Sequence, residues 1–201
     1  MGSVVHLAPG TMGPAGAGGS QASSRGNGAS ASERNEAQTL TRIGHSKLTA
    51  AIELTKPSIT KLVTLTSAVG YVLGIYGRSF AWWELIVSAL GCVIGTALSA
   101  AGANALNMWW ERHRDCLMTR TAGRPLPTGR MFPATAFLVG VGLSLAGVIV
   151  LALACNLAAA AVSLATVLIY VLVYTPMKVY TPLATLVGAV PGALPPLIGW
   201  C

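Results

Sequence analysis

The chain has 201 residues, of which 53% are hydrophobic and only 9% are charged, and its formal net charge is +7. That balance excludes an ordinary soluble domain and predicts an integral membrane protein. The positive charge does not point to nucleic acid, because the basic residues sit beside apolar spans and not along one soluble surface.

Residues 1–46 are rich in Gly, Ala and Ser, as in GPAGAGGSQASSRGNGASASERNEAQ. So few apolar side chains cannot offset the entropy of ordering, so this stretch is expected to be a disordered tail and residues 47–201 the folded domain. No charged n-region followed by a continuous apolar run is present, which argues against a secretory signal. Residues 48–54 are too short to cross a bilayer and read as a brief interfacial helix.

Four spans are predicted next. The first runs over 59–75 just after Pro57, with only Lys61 charged; the second, 85–106, carries no charge; the third and fourth cover 132–154 and 157–174. A fifth apolar segment, 185–201, contains Pro191, Pro195 and Pro196 and is expected to be a broken helix. Pairs such as Gly70 with Gly74, Gly91 with Gly95 and Gly188 with Gly192 would let helices approach closely. The fold class is therefore all-α, a polytopic transmembrane helix bundle. Cys92, Cys116, Cys155 and Cys201 are widely separated and form no CxxC pair, so they carry no metal or redox reading.

Orientation follows from Lys and Arg. Arg25, Arg34, Arg42, Lys47 and Lys56 precede the first span, Arg112, Arg114, Arg120, Arg124 and Arg130 follow the second, and Lys178 follows the fourth; the first hairpin holds only Arg78. The N-terminus and the basic loops are thus expected on the cytoplasmic side.

The chemistry is expected where the second span ends, in the run NMWWERHRDCLMTRTAGRPLPTG from Asn107 to Gly129. Asn107, Glu111 and Asp115 are spaced four and four, which on a helix puts them on one face, each about 6 Å further along the axis. Oxygen ligands at such a spacing suit Mg²⁺, which takes one or two carboxylates and completes its shell with water and phosphate oxygens. Arg112, Arg114, Arg120 and Arg124 lie in the same run, and guanidinium groups match phosphate oxygens bidentately. A polar helix face is ordinarily just solvated. Here a second polar island, YTPMKVYTP from Tyr174 to Pro182, is expected on the same side of the membrane, and the two together suit a metal-diphosphate site.

The run from Asn107, with its continuation into MTRT and RPLPTG, resembles the first acidic motif of UbiA-type intramembrane prenyltransferases, in particular the haem O synthase (protoheme IX farnesyltransferase) branch. ELTKPSIT followed by GYVLG, and YTPMK followed by TPLATLVGAVPGALPPLIGW, resemble further blocks of that family, so the likeness extends from about Leu48 to Cys201. The resemblance implies the N-terminal half of a UbiA-like bundle. It implies Mg²⁺ held by Asn107, Glu111 and Asp115, diphosphate contacts from Arg120, Arg124 and Lys178, and transfer of farnesyl from farnesyl diphosphate to the vinyl group of haem b. A bacterial inner membrane, a surrounding lipid bilayer and terminal-oxidase assembly factors as partners follow from the same likeness.

The sequence departs from the family in places. Glu111 stands where many relatives have Asp, Ser58 where they often have Arg, and Val179 and Ala184 where a basic residue and an asparagine are usual. The family also carries a second acidic motif in a later loop, and this chain ends before it, so a C-terminally truncated sequence is expected. Two alternatives remain open at this point. One is a catalytically incomplete membrane-binding or assembly protein derived from the fold, and the other a prenyltransferase acting on an aromatic quinone precursor. Tyr174, Trp109 and Trp110 are expected as interfacial aromatics, and His113 as a solvated side chain.

Overall fold

Proline, small residues and a lack of internal charge set the helix boundaries. The computed structural model describes residues 49–79 and 81–201, so the expected 1–46 tail lies outside the described residues. Residues 49–54 form a short helix, α1, and α2 (Pro57–Ile75), α3 (Trp82–Asp115), α4 (Pro133–Ala154) and α5 (Leu157–Leu168) follow. A π-helical turn (Ile169–Tyr174) joins α5 to α6 (Thr175–Tyr180), and α7 (Ala184–Ala193) and α8 (Pro195–Trp200) complete the chain. No strand occurs among the described residues.

Pro57 and Pro133 open α2 and α4, where a missing N–H costs nothing and the ring pre-sets φ. Four helical stretches are long and apolar enough to cross a membrane: Pro57–Ile75, Trp82–Asp115, Pro133–Ala154 and Leu157–Tyr180. Rows such as Leu62, Leu65, Val69 and Val72 on α2, and Leu138, Leu145 and Ile149 on α4, face outward, as suits a hydrocarbon solvent.

The spans pack through small residues. α3 and α4 form the closest pair. A Cβ on Gly102 would come within 2.5 Å of the Ser144 nitrogen, and one on Gly147 within 2.5 Å of the Gly95 oxygen. α8 lies against α2, where Gly70 faces the Pro196 carbonyl and Gly199 faces the Ser67 carbonyl. Close backbone approach of this kind lets dispersion contacts hold helices together where lipid offers no hydrophobic drive. The fifth segment is broken as expected, between Ala193 and Pro195.

α1 packs one side inward: Ala50 and Leu54 are fully buried, and Leu54 packs with Ala105, Met108, Leu126 and Ala136, while Ile52 is exposed. One element differs from expectation. The fourth span does not stop at Tyr174 but runs on to Tyr180, so Lys178 sits on a helix and not in a loop. Pro176 explains this, because it cannot donate to the carbonyl one turn back. The preceding turn opens into π form, and the Thr175 hydroxyl donates to the Tyr170 carbonyl at 2.7 Å.

Candidate active site

α3 has 34 residues, about 51 Å at 1.5 Å per residue, against a hydrocarbon core of about 30 Å. Its last turns therefore project past the core, and they carry Asn107, Glu111 and Asp115 on one continuous helical face. Those turns are not solvated: the three residues are 1%, 6% and 4% exposed. Buried carboxylates need partners, and three other segments supply them.

Arg124, in the turn-rich loop after α3, places Nη1 2.8 and 2.7 Å from the two carboxylate oxygens of Asp115 and 4.0 Å from Glu111. The loop is built to hold it there. Pro125 and Leu126 are buried, Gly129 takes a φ of 71° that closes the turn, and the Thr121 hydroxyl donates to the Asp115 carbonyl at 3.0 Å. Lys178, on α6, forms an ion pair with Glu111. Lys56, between α1 and α2, reaches Asn107.

The Asn107 amide is oriented by its neighbours. The single Thr175 proton goes to Tyr170, so Thr175 Oγ1 accepts from Asn107 Nδ2 at 3.0 Å; Nδ2 also donates to Glu111 Oε1 at 3.2 Å, and Oδ1 accepts from Lys56 Nζ at 3.1 Å. Three cations thus meet two carboxylates at one end of the bundle. Burial, and then the charge of Arg124, lowers the Lys56 ammonium from its ordinary 10.5 to about 8.

The structure therefore brings together Asn107, Glu111, Asp115, Arg124 and Lys178. It does not bring in Arg120, which is exposed and enters no ion pair among the described residues. Arg112 instead bonds the Trp109 carbonyl at 2.9 Å and lies over the Trp109 ring, while Arg114 lies over Tyr180. His113 is exposed, as expected. Trp110 is 41% exposed, but Trp109 packs on Phe137 with centroids 4.8 Å apart and is more than an interfacial anchor.

Sequence reasoning used Lys56 only for orientation and passed over Asn104 and Thr175. Asn104 lies three residues before Asn107 and extends the same stripe; its Nδ2 donates to the Thr55 carbonyl at 3.4 Å and to Thr60 Oγ1 at 3.3 Å, tying α3 to the turn that carries Lys56. Helical spacing alone could have found it.

Alongside the charged cluster runs a cavity of about 380 Å³, lined by apolar residues such as Leu62, Ala103 and Val167 and by Tyr170 and Tyr174. Serine and threonine hydroxyls in its wall bond within the protein: Ser163 donates to Ser99 at 3.0 Å, and Thr166 to the Val162 carbonyl at 2.7 Å. The cavity is therefore suited to a hydrocarbon chain. Tyr174 lines it, stacked on Tyr170 with centroids 5.4 Å apart, and the Lys178 ammonium is 6.0 Å from the Tyr174 ring. The arrangement can take an anionic head among the cations and an apolar tail in the cavity.

Residues 63–201 match the UbiA prenyltransferase family. A protein of Myxococcus xanthus named protoheme IX farnesyltransferase is 49% identical over 151 residues, covering 74% of this chain and 49% of the relative. Proteins of the same name from Solibacter usitatus and Cytophaga hutchinsonii are 46% and 38% identical, over 74% and 77% of this chain and 52% of each relative. The chain thus spans about half the length of the curated relatives it matches. No solved structure matches it.

Proposed function

The chain belongs to the UbiA prenyltransferase family, and on that premise we propose that its charged cluster binds farnesyl diphosphate for transfer of the farnesyl group to the vinyl group of haem b, giving haem O. The observation that carries this reading is the convergence of Arg124, Lys178 and Lys56 on the buried Asn107, Glu111 and Asp115 face, next to an apolar cavity whose wall includes Asn104 and Tyr174. The name shared by the relatives, protoheme IX farnesyltransferase, supports the choice of donor and acceptor.

The donor set fits a hard divalent cation. Glu111 and Asp115 offer two carboxylates on one face, and Asn107 offers an amide oxygen now held by Lys56. Mg²⁺ usually takes one or two carboxylates and draws its other ligands from phosphate and water. Bound there, Mg²⁺ would supply charge stabilisation to the leaving diphosphate.

The chain's own residues do the rest. Arg124 and Lys178 favour the charge that builds on the diphosphate oxygen as the C1–O bond breaks and its electron pair departs with the leaving group. The apolar cavity holds the farnesyl chain and keeps water from the allylic carbon, and the Tyr174 ring faces the same space. The vinyl π pair then forms the new carbon–carbon bond to C1. Water adds to the resulting cation and releases a proton, leaving a hydroxyethylfarnesyl substituent. The basic residues at this end support a cytoplasmic orientation of the site in a bacterial inner membrane.

The test is direct. The purified chain in lipid nanodiscs is incubated with farnesyl diphosphate, haem b and Mg²⁺, with a full-length relative run in parallel, and haem O is read by mass spectrometry. Haem O from the wild type and none from D115N is the expected outcome. Binding of farnesyl diphosphate without haem O, while the relative is active, removes the transfer reading for this chain. Prenylation of an aromatic quinone precursor in place of haem b reassigns the acceptor.

A further inference from the structure

Lys56 stands out on three independent counts. Its backbone has a φ of 46°, the one positive value at a non-glycine residue among the described residues. Such a conformation is disfavoured for a side chain with a Cβ, and residues before proline prefer extended geometry. Asn104 holds the strained turn by donating to the Thr55 carbonyl at 3.4 Å. The effect is to turn the Lys56 side chain inward, where Nζ sits 3.1 Å from the Asn107 amide oxygen.

A lysine just ahead of a span commonly snorkels to the membrane surface with its ammonium in water. That reading does not fit, since Asn107 is 1% exposed and Lys56 Nζ lies against it. Arg124 and Lys178 each have a carboxylate partner, whereas no ion pair among the described residues includes Lys56. Its ammonium bonds directly only to a neutral amide oxygen, and Glu111 and Asp115 attract it from beyond ion-pair distance. An inward cation without a direct carboxylate contact is suited to an anion that arrives from outside.

Resting on the prenyl diphosphate reading of the same site, we propose that Lys56 is a third diphosphate-binding cation, whose ammonium exchanges the Asn107 oxygen for a phosphate oxygen when the substrate head group enters. The exchange also releases Asn107 Oδ1 to act as an oxygen ligand. Arg124 and Lys178 grip the head group from the loop after α3 and from α6, and Lys56 does so from the start of α2, so the diphosphate is held from three directions.

The experiment separates charge from backbone strain. Wild-type, K56G and K56R chains in nanodiscs with Mg²⁺ are titrated by calorimetry with inorganic pyrophosphate and then with farnesyl diphosphate, and the melting temperature of each ligand-free chain is recorded. Glycine relieves the positive φ while removing the ammonium, so K56G is expected to melt no lower than wild type yet bind both ligands about tenfold or more weakly. K56R is expected to recover most of that affinity. K56Q provides a second neutral variant should K56G not fold. Neutral variants that bind pyrophosphate within about twofold of wild type overturn the proposal and leave the diphosphate site intact. A wild-type chain that binds neither ligand overturns both the site reading and this one.

Discussion

Helix α3 has two faces that do opposite work. One face, Gly91, Gly95, Ser99 and Gly102, has almost no side chain and meets α4 backbone to backbone. The other, Asn104, Asn107, Glu111 and Asp115, carries polar side chains on a buried stripe that meets α2, α6 and the loop after α3. The first face gains stability from close contact and has no chemistry to offer. The second loses solvation and gains it back only through partners brought by other segments. The contrast teaches that the small-residue seam fixes where the charged stripe stands, and the stripe gives that position a use.

The comparison breaks most sharply at Asp115. D115A strands Arg124, whose side chain is 25% exposed, beside a lost partner. We expect a destabilisation of about 3 kcal/mol, the low end for one half of a buried pair, measured by thermal unfolding in detergent, together with loss of diphosphate binding. Removing both members of a pair should behave differently. E111Q combined with K178Q leaves no orphaned charge, so stability should stay within about 1 kcal/mol of wild type while pyrophosphate affinity falls. A large stability loss in the double variant would show that this pair holds the fold together and is not kept for a ligand.

The seam is tested by G102A. Its new Cβ would lie 2.5 Å from the Ser144 nitrogen and 2.6 Å from the Gly140 carbonyl, backbone atoms that cannot swing aside. The expected cost is about 2 kcal/mol. Gly142, on the partner helix α4, has nothing within 4 Å of its Cβ position, so G142A should be neutral or stabilising by up to about 1 kcal/mol through helix propensity. Equal effects in the two variants would remove the distinction between packed and open glycines.

These expectations also mark what was legible in the chain. The acid stripe follows from helical spacing, and a helix continuing past the 85–106 span as far as Asp115 follows with it. Arg112 sits one residue after Glu111, about 100° around the helix, so the period turns it off the stripe; Arg114, three residues after Glu111, lies at the stripe's edge, and its contact with the Tyr180 ring is seen only in the fold. Arg120 and Arg124 could not be told apart in that way. They differ in how the loop folds, and only Arg124 is carried back by buried Pro125 and Leu126. Lys56 depends on a left-handed turn and on a contact across about 50 residues of sequence, from position 56 to position 107, neither of which leaves a periodic trace. The π turn hides for a similar reason: proline signals a break, and the structure absorbs it by widening one turn.

The smallest expected effect concerns the outer edge of the site. Arg130 Nη2 lies 2.8 Å from Glu53 Oε2 and donates to the Gly123 carbonyl at 2.7 Å, linking α1 to the loop that carries Arg124. Both side chains are about a third exposed or more, 31% and 41%, so solvent screens their attraction. A double-mutant cycle on E53A and R130A should give a coupling of about 0.5 kcal/mol in unfolding free energy. Because Arg124 is held from inside by Asp115 and by the buried loop residues, loss of this outer link should leave pyrophosphate affinity near wild type. A coupling of several times that size, or a marked fall in affinity, would make α1 a working part of the site and not its brace. The boundary between the buried stripe and its exposed support would then lie further out than Glu53 and Arg130.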